Sequence, residues 1–144
     1  VFCLVVMIIS SFGLYDGRMA KIKSELVVIF NASSVVKLEM MEHYVNTGQW
    51  PDSEWESHDY LSINSPTIEK YETNSNGSFQ FLLSSPYTEI NQKIIRFEPL
   101  NEVNPMALAP LRWQCRFYDQ PTTPKFNNLQ KITEGDFIPY LCRD

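Results

Sequence analysis

The sequence predicts an α+β domain in which one long N-terminal α-helix packs on a four-stranded antiparallel sheet. Three observations carry this reading. From Met19 to Val45 there is neither proline nor glycine, and Ile22, Leu26, Ile29, Phe30, Val36, Met40, Met41 and Tyr44 recur at helical spacing. Two short runs flank Asn74-Ser75-Asn76-Gly77, and Asn-Gly between such runs is a strong hairpin signal. Farther on, Trp113, Cys115 and Phe117 alternate with Arg112, Gln114 and Arg116, the period-two pattern of a strand with one face turned to the helix. A chain of 144 residues has room for one such domain and its N-terminal segment.

The helix is preceded by an uncharged apolar run, Val1 to Leu14, about six residues short of the roughly 20 needed to cross a bilayer. It reads as part of a span, as a signal-peptide core or as a buried strand. With no initiating Met and no basic segment ahead of it, the chain is expected to begin inside its apolar segment. Arg18, Lys21 and Lys23 follow as a cationic collar, solvated or held at lipid headgroups. Val27, Val28, Val35 and Leu38 fall outside the main apolar stripe, so this helix is expected to be buried on two fronts. Gly48 and Pro51 supply its stop, the glycine as a C-cap and the proline as a residue that cannot continue the helix.

The rest forms the head. Asp52, Glu54, Glu56, His58 and Asp59 lie in an acidic, turn-rich stretch whose spacing matches no metal-ligand motif, so it reads as a loop. Strands are expected over Thr67 to Thr73, Ser78 to Leu83, Lys93 to Glu98 and Leu111 to Tyr118, with Pro99 ending the third. Asn31-Ala32-Ser33 and Asn76-Gly77-Ser78 are formal glycosylation sequons, but helix and turn account for them. Pro105 to Pro110 is a connection, and beyond Tyr118 the chain turns polar and proline-rich before closing on Phe137 to Arg143.

Composition narrows the function classes. Apolar content of 44% fits a folded domain rather than disorder. A net charge of −5 with scattered Lys and Arg disfavours an extensive nucleic-acid interface. His43 and His58 have no nucleophile motif near them and there is no glycine-rich phosphate loop, so neither an enzyme site nor a cofactor is expected. Cys3 is a small apolar residue within its run. Cys115 and Cys142 lack the second ligand or partner that zinc or redox motifs need. Their natural pairing is with each other, which sequence alone leaves open.

Two sets of residues resemble a known family. Tyr15, Ala20-Lys21, Ser24-Glu25-Leu26 and Met41 through Pro51, with Glu42, Tyr44, Gly48, Trp50 and Pro51 at matching spacing, resemble the N-terminal helix of type IV pilins and the turn that ends it. Trp113-Gln114-Cys115 and Ile138-Pro139-Tyr140-Leu141-Cys142-Arg143 resemble the strand and terminal motif of the same family. The mature N-terminal Phe and the acidic residue after it have no counterpart here. The resemblance implies a pilin-like fold closed by a C-terminal loop between Cys115 and Cys142. It further implies an apolar anchor over residues 1–18 and an extracytoplasmic head over 19–144. Phe2, Leu4, Val5, Val6, Ile8, Ile9, Phe12 and Leu14 would form the membrane and assembly helix, and Tyr44, Gly48, Trp50 and Pro51 the helix-to-head turn. Tyr118, Pro121, Pro124, Phe126 and Pro139 would form an exposed loop for contact with neighbours or a receptor. The implied function is that of a structural filament subunit serving adhesion, motility or DNA uptake. It would be held in the inner membrane before assembly and carried on the cell-surface pilus afterwards. Its partners would be other pilin subunits, the inner-membrane assembly machinery and a host or surface receptor. A pseudopilin of a type II secretion system, or a membrane-anchored binding module, are the alternative readings.

Overall fold

A computed structural model describes the backbone of residues 2–52, 65–100, 112–119, 131–132, 138 and 142, with side chains from residue 17 onward except at 131–132. One helix, α1 (Phe2–Thr47), runs unbroken through Tyr15-Asp16-Gly17 for 46 residues, about 69 Å at 1.5 Å per residue. Its two glycines, Gly13 and Gly17, cost only about 1 kcal/mol each relative to alanine, too little to divide it. The end is specified by chemistry. Gly48 takes a φ of +75°, which suits a residue without Cβ, and its N–H donates to the Tyr44 carbonyl at 2.8 Å. Thr47 Oγ1 donates to the His43 carbonyl at 2.8 Å and accepts the Gln49 N–H at 3.2 Å, and Pro51 is buried just beyond.

The sheet is a meander with strand order β1-β2-β3-β4-β5, antiparallel throughout. Its strands are β1 (Ile68–Thr73), β2 (Phe79–Leu83), β3 (Lys93–Pro99), β4 (Trp113–Asp119) and the two-residue β5 (Lys131–Ile132). The four longer strands match the expected ones to within two residues at each end. The short β5, paired to β4 through Ile132 and Lys131, was not expected, because two residues in a polar tail carry no periodicity.

Register aligns the apolar rows. Phe79, Phe97 and Cys115 lie side by side across β2, β3 and β4, as do Phe81, Ile95 and Phe117. All six are buried, and Ile22, Leu26, Ile29, Ala32, Val36 and Met40 of α1 join them in one core. Ala32 and Ser33 put two small side chains at the middle of this helix stripe, opposite a sheet rich in phenylalanine. The buried Ser33 hydroxyl donates to the Phe30 carbonyl at 2.7 Å, so its burial leaves no unsatisfied donor.

The β1–β2 hairpin differs in type from the two-residue turn that Asn-Gly signals. Gly77 has a φ of +85° while Asn76 stays at negative φ, and the Gly77 N–H donates to the Asn74 carbonyl at 3.0 Å. That is a type I turn followed by a left-handed glycine. Asn76 Oδ1 accepts from both the N–H and the hydroxyl of Ser78, at 3.0 and 2.7 Å, which holds Asn76 in place. Tyr118 requires a second correction. Expected at the end of the fourth strand and on an exposed contact surface, it lies in β4 as expected but is only 8% exposed, with the Arg96 guanidinium 5.1 Å from its ring centroid. Its alternation with Phe117 places it on the sheet face away from the helix.

Candidate functional site

Three places on the described surface have chemistry beyond core packing. The first is the end of the helix. Trp50 lies 4.6 Å from the Tyr44 ring and 6.1 Å from Trp113, centroid to centroid. Its indole covers Gly77 so closely that a Cβ there would stand 2.5 Å from Cε2. Thr73 Oγ1 donates to the Asp52 carbonyl, tying the segment after the helix to the hairpin. The four residues expected to form the helix-to-head turn thus lie together, with Gly77 and Trp113 as partners that sequence reasoning missed. Gly77→Ala is expected to cost about 2–4 kcal/mol, since it combines left-handed strain with overpacking against an indole. Urea unfolding followed by tryptophan fluorescence checks this, and an unchanged midpoint would remove the Trp50 contact from the account.

The second is Lys37. Its ammonium sits 4.5 Å from the Phe97 ring centroid and 5.8 Å from that of Trp113, on the edge of the helix stripe that also carries Phe30. Burial pushes its pKa below the ordinary lysine value. A depressed lysine pKa in the fold means that the unfolded chain binds more protons between the folded and unfolded values. Stability contributed by this site is therefore greatest above the unfolded pKa and lost as pH falls through the folded one. Lys37→Met keeps the stem's packing and removes the charge. The difference in unfolding free energy between variant and parent is expected to change sign-consistently in favour of the parent as pH rises from 7 toward 10. A flat difference would refute it. On the other edge of α1, Arg18 donates to Glu89 Oε2 at 2.9 Å, and Glu25 Oε2 accepts from the Ser85 hydroxyl at 2.6 Å. These two contacts fasten the β2–β3 connection to the helix. Arg18 is thus an ion-pair partner rather than a simple collar residue, and its hydrogen bond holds the Glu89 carboxyl below the usual range.

The third is the outward face of the helix. Ala20, Ser24, Val27, Asn31, Ser34, Leu38, Met41 and Val45 follow one another at alternating steps of four and three, and all but the half-buried Met41 are exposed. Val27 is 58% exposed, Leu38 70% and Val45 68%, with Val28 beside them at 42%. Ser34 Oγ donates to its own helix at the Phe30 carbonyl, 3.0 Å away, which leaves a low, weakly polar surface. Lys21 and Lys23 flank one end of this seam and Glu42 the other, all three exposed and without an ion pair among the described residues. The expectation of burial on two fronts is half realised within one chain: the inner stripe is covered and the outer one is not.

The face of the sheet away from the helix carries a polar row beside an apolar one of Leu82, Ile94 and Tyr118. Glu72, Gln80, Arg96 and Arg116 stand in one cross-strand row. Arg96 donates to Gln80 Oε1 through Nε and Nη2 at 3.0 and 2.9 Å, and Arg116 approaches Glu98 at 3.4 Å.

Cys115 and Cys142 form a disulfide, with their Cα atoms 4.6 Å apart, and both are buried in the core beside Ile138. Phe2, Leu4, Val5, Val6, Ile8, Ile9, Phe12 and Leu14 have helical backbone, but their side chains lie outside the described residues. Pro121, Pro124, Phe126 and Pro139, like Glu54, Glu56, His58 and Asp59, also lie outside them. Among the described residues no helix is long and apolar enough to cross a membrane, and no group of three His, Cys, Asp or Glu is placed to hold a metal ion. No protein-family model matches the chain, and no curated protein matches it.

Proposed function

We propose that this chain is a structural subunit of a type IV pilus-like filament, held in the inner membrane through its N-terminal apolar run before assembly. The observation that carries this reading is the outward helix face. Val27, Val28, Leu38 and Val45 are large apolar side chains held in water on the same helix whose opposite stripe is fully packed. Leaving such a row uncovered forfeits roughly 25 cal/mol for each Å² that a partner would bury, and large apolar side chains exposed together on one face point to an interaction site. A helix that serves its own sheet on one side and neighbouring subunits on the other uses both stripes. The two motif sets at the helix end and around the disulfide support the same family.

The test is self-association of the full chain in phospholipid vesicles, read by amine-free photo-crosslinking and by electron microscopy of released material. Val27→Glu and Leu38→Glu are expected to abolish oligomers while leaving helix content and unfolding midpoint within the range of ordinary surface substitutions. Oligomers that persist in the double variant would overturn the reading.

A further inference from the structure

The outward seam carries more information than its apolarity. Its alternating steps of four and three are the heptad spacing of a two-helix seam, with Ser24, Asn31, Leu38 and Val45 on one register position and Ala20, Val27, Ser34 and Met41 on the other. On either side of such a seam, the residue just before the first position of one helix meets the residue just after the second position of its neighbour. Here those flanks carry Lys23 and Lys37 on one side and Lys21 and Glu42 on the other.

We infer that this face docks onto a second copy of the chain in parallel, displaced along the helix axis by two heptads, about 21 Å, with Lys23 paired to Glu42 of the neighbour. The inference rests on the filament reading, which requires parallel helices, since all subunits start in one membrane with heads on one side. It also requires an axial offset, since an unstaggered pair closes on itself and does not propagate. Charge selects the offset. A displacement of one heptad sets Lys21 of one copy against Lys23 of the next, like charge against like. Two heptads bring Glu42 across from Lys23 and stack Val27 on Met41 and Ser24 on Leu38. Three heptads leave little of the described seam, residues 20–45, overlapped. The acid's partner in an unstaggered pair would be Lys37, whose ammonium is turned onto the rings of Phe97 and Trp113.

The test uses the full chain with Cys3→Ala in phosphatidylethanolamine–phosphatidylglycerol vesicles. Lys23→Glu or Glu42→Lys alone is expected to lower the crosslinked oligomer roughly fivefold at about 0.05 M salt and less at about 0.5 M, and the double exchange to restore it. Two differently tagged copies, one with Ser24→Cys and one with Leu38→Cys, are expected to form a disulfide with each other in preference to Ser24→Cys with itself. All four positions are exposed, so circular dichroism of each variant should match the parent. Failure of the double exchange to restore oligomers, or a dominant Ser24→Cys self-link, overturns the staggered pairing while leaving a filament subunit possible. Absence of any oligomer from the parent chain overturns both.

Discussion

Phe97→Ala is expected to lower the unfolding free energy by about 3–5 kcal/mol, the range for deleting a fully buried aromatic side chain. Phe97 is the point where the layers meet. Its ring stacks on Phe79 at 4.9 Å, meets Phe81 edge-on at 6.0 Å and meets Phe30 of the helix edge-on at 5.8 Å. It also carries the Lys37 ammonium on its face. Neighbours on two other elements, α1 and β2, fix the ring from different directions, so they cannot all close over the cavity, and the loss should fall toward the upper end of the range. Phe97→Leu refills much of the volume and should cost less than half as much. Leu100→Ala, three residues on but 54% exposed, should stay within about 0.5 kcal/mol of the parent. Chemical denaturation of the three variants checks this order. A loss at Phe97→Ala no greater than at Leu100→Ala would mean that the aromatic row is not the centre of the fold. Combining Phe97→Leu with Lys37→Met in a double-mutant cycle isolates the ammonium–ring contact, for which about 0.5–2 kcal/mol is expected.

How much of this was legible in the sequence depends on how local each signal is. The inner helix stripe was readable because Ile22, Leu26, Ile29, Val36 and Met40 repeat with the helix, and all five are buried. The alternation of Trp113, Cys115 and Phe117 was readable for the same reason, with Cys115 and Phe117 buried and Trp113 packed against the core. The exposed second stripe followed from apolar residues outside the first. What sequence did not carry are contacts between distant residues. Nothing near Lys37 announces that its ammonium will lie over Phe97, because 60 residues of chain separate them and only the register of β3 under the helix brings them together. Gly77 looked like a turn residue. Its second constraint comes from Trp50, a residue of another element, and that close approach has no local signature. Tyr118 was legible as a strand residue but not as a buried one, because its cover comes from the ladder partners Ile94 and Lys131 and from the Arg96 guanidinium over its ring, contacts with no local signature. The seam's register position was hidden in a similar way. Ser24, Asn31 and Ser34 are polar or small and break the apolar pattern, and they join Val27 and Leu38 only once the covered side of the helix is known.

Removing the disulfide by Cys115→Ala with Cys142→Ala is expected to cost about 3–4 kcal/mol and to lower the melting temperature by roughly 10 °C. The sequence separation of 27 sets the entropy term, since the crosslink removes from the unfolded chain the freedom of the loop it closes. Burial sets the rest. Cys115 occupies the row beside Phe97 and Phe79, while Ile138 and Cys142 bring the end of the chain into the same core. Alanine keeps both positions apolar, so the loss measures the crosslink rather than a buried hydroxyl. The distribution of that loss is the informative part. If the bond acts mainly on the unfolded state, the variant should fold to the same helix and sheet, with Tyr44, Trp50 and Trp113 in place and an unchanged near-ultraviolet spectrum at low temperature. If it acts by holding Ile138 against the sheet, limited proteolysis should cut the variant between Asp119 and Ile138 while residues 17–52, 65–100 and 112–119 stay protected. Reduction of the parent should reproduce the variant in either case. A melting temperature within about 3 °C of the parent would mean that burial of Ile138 alone keeps the terminus docked. Under the filament reading, a subunit with a released terminus presents a different surface to its neighbours, so oligomer yield in vesicles should fall with proteolytic protection rather than with helix content.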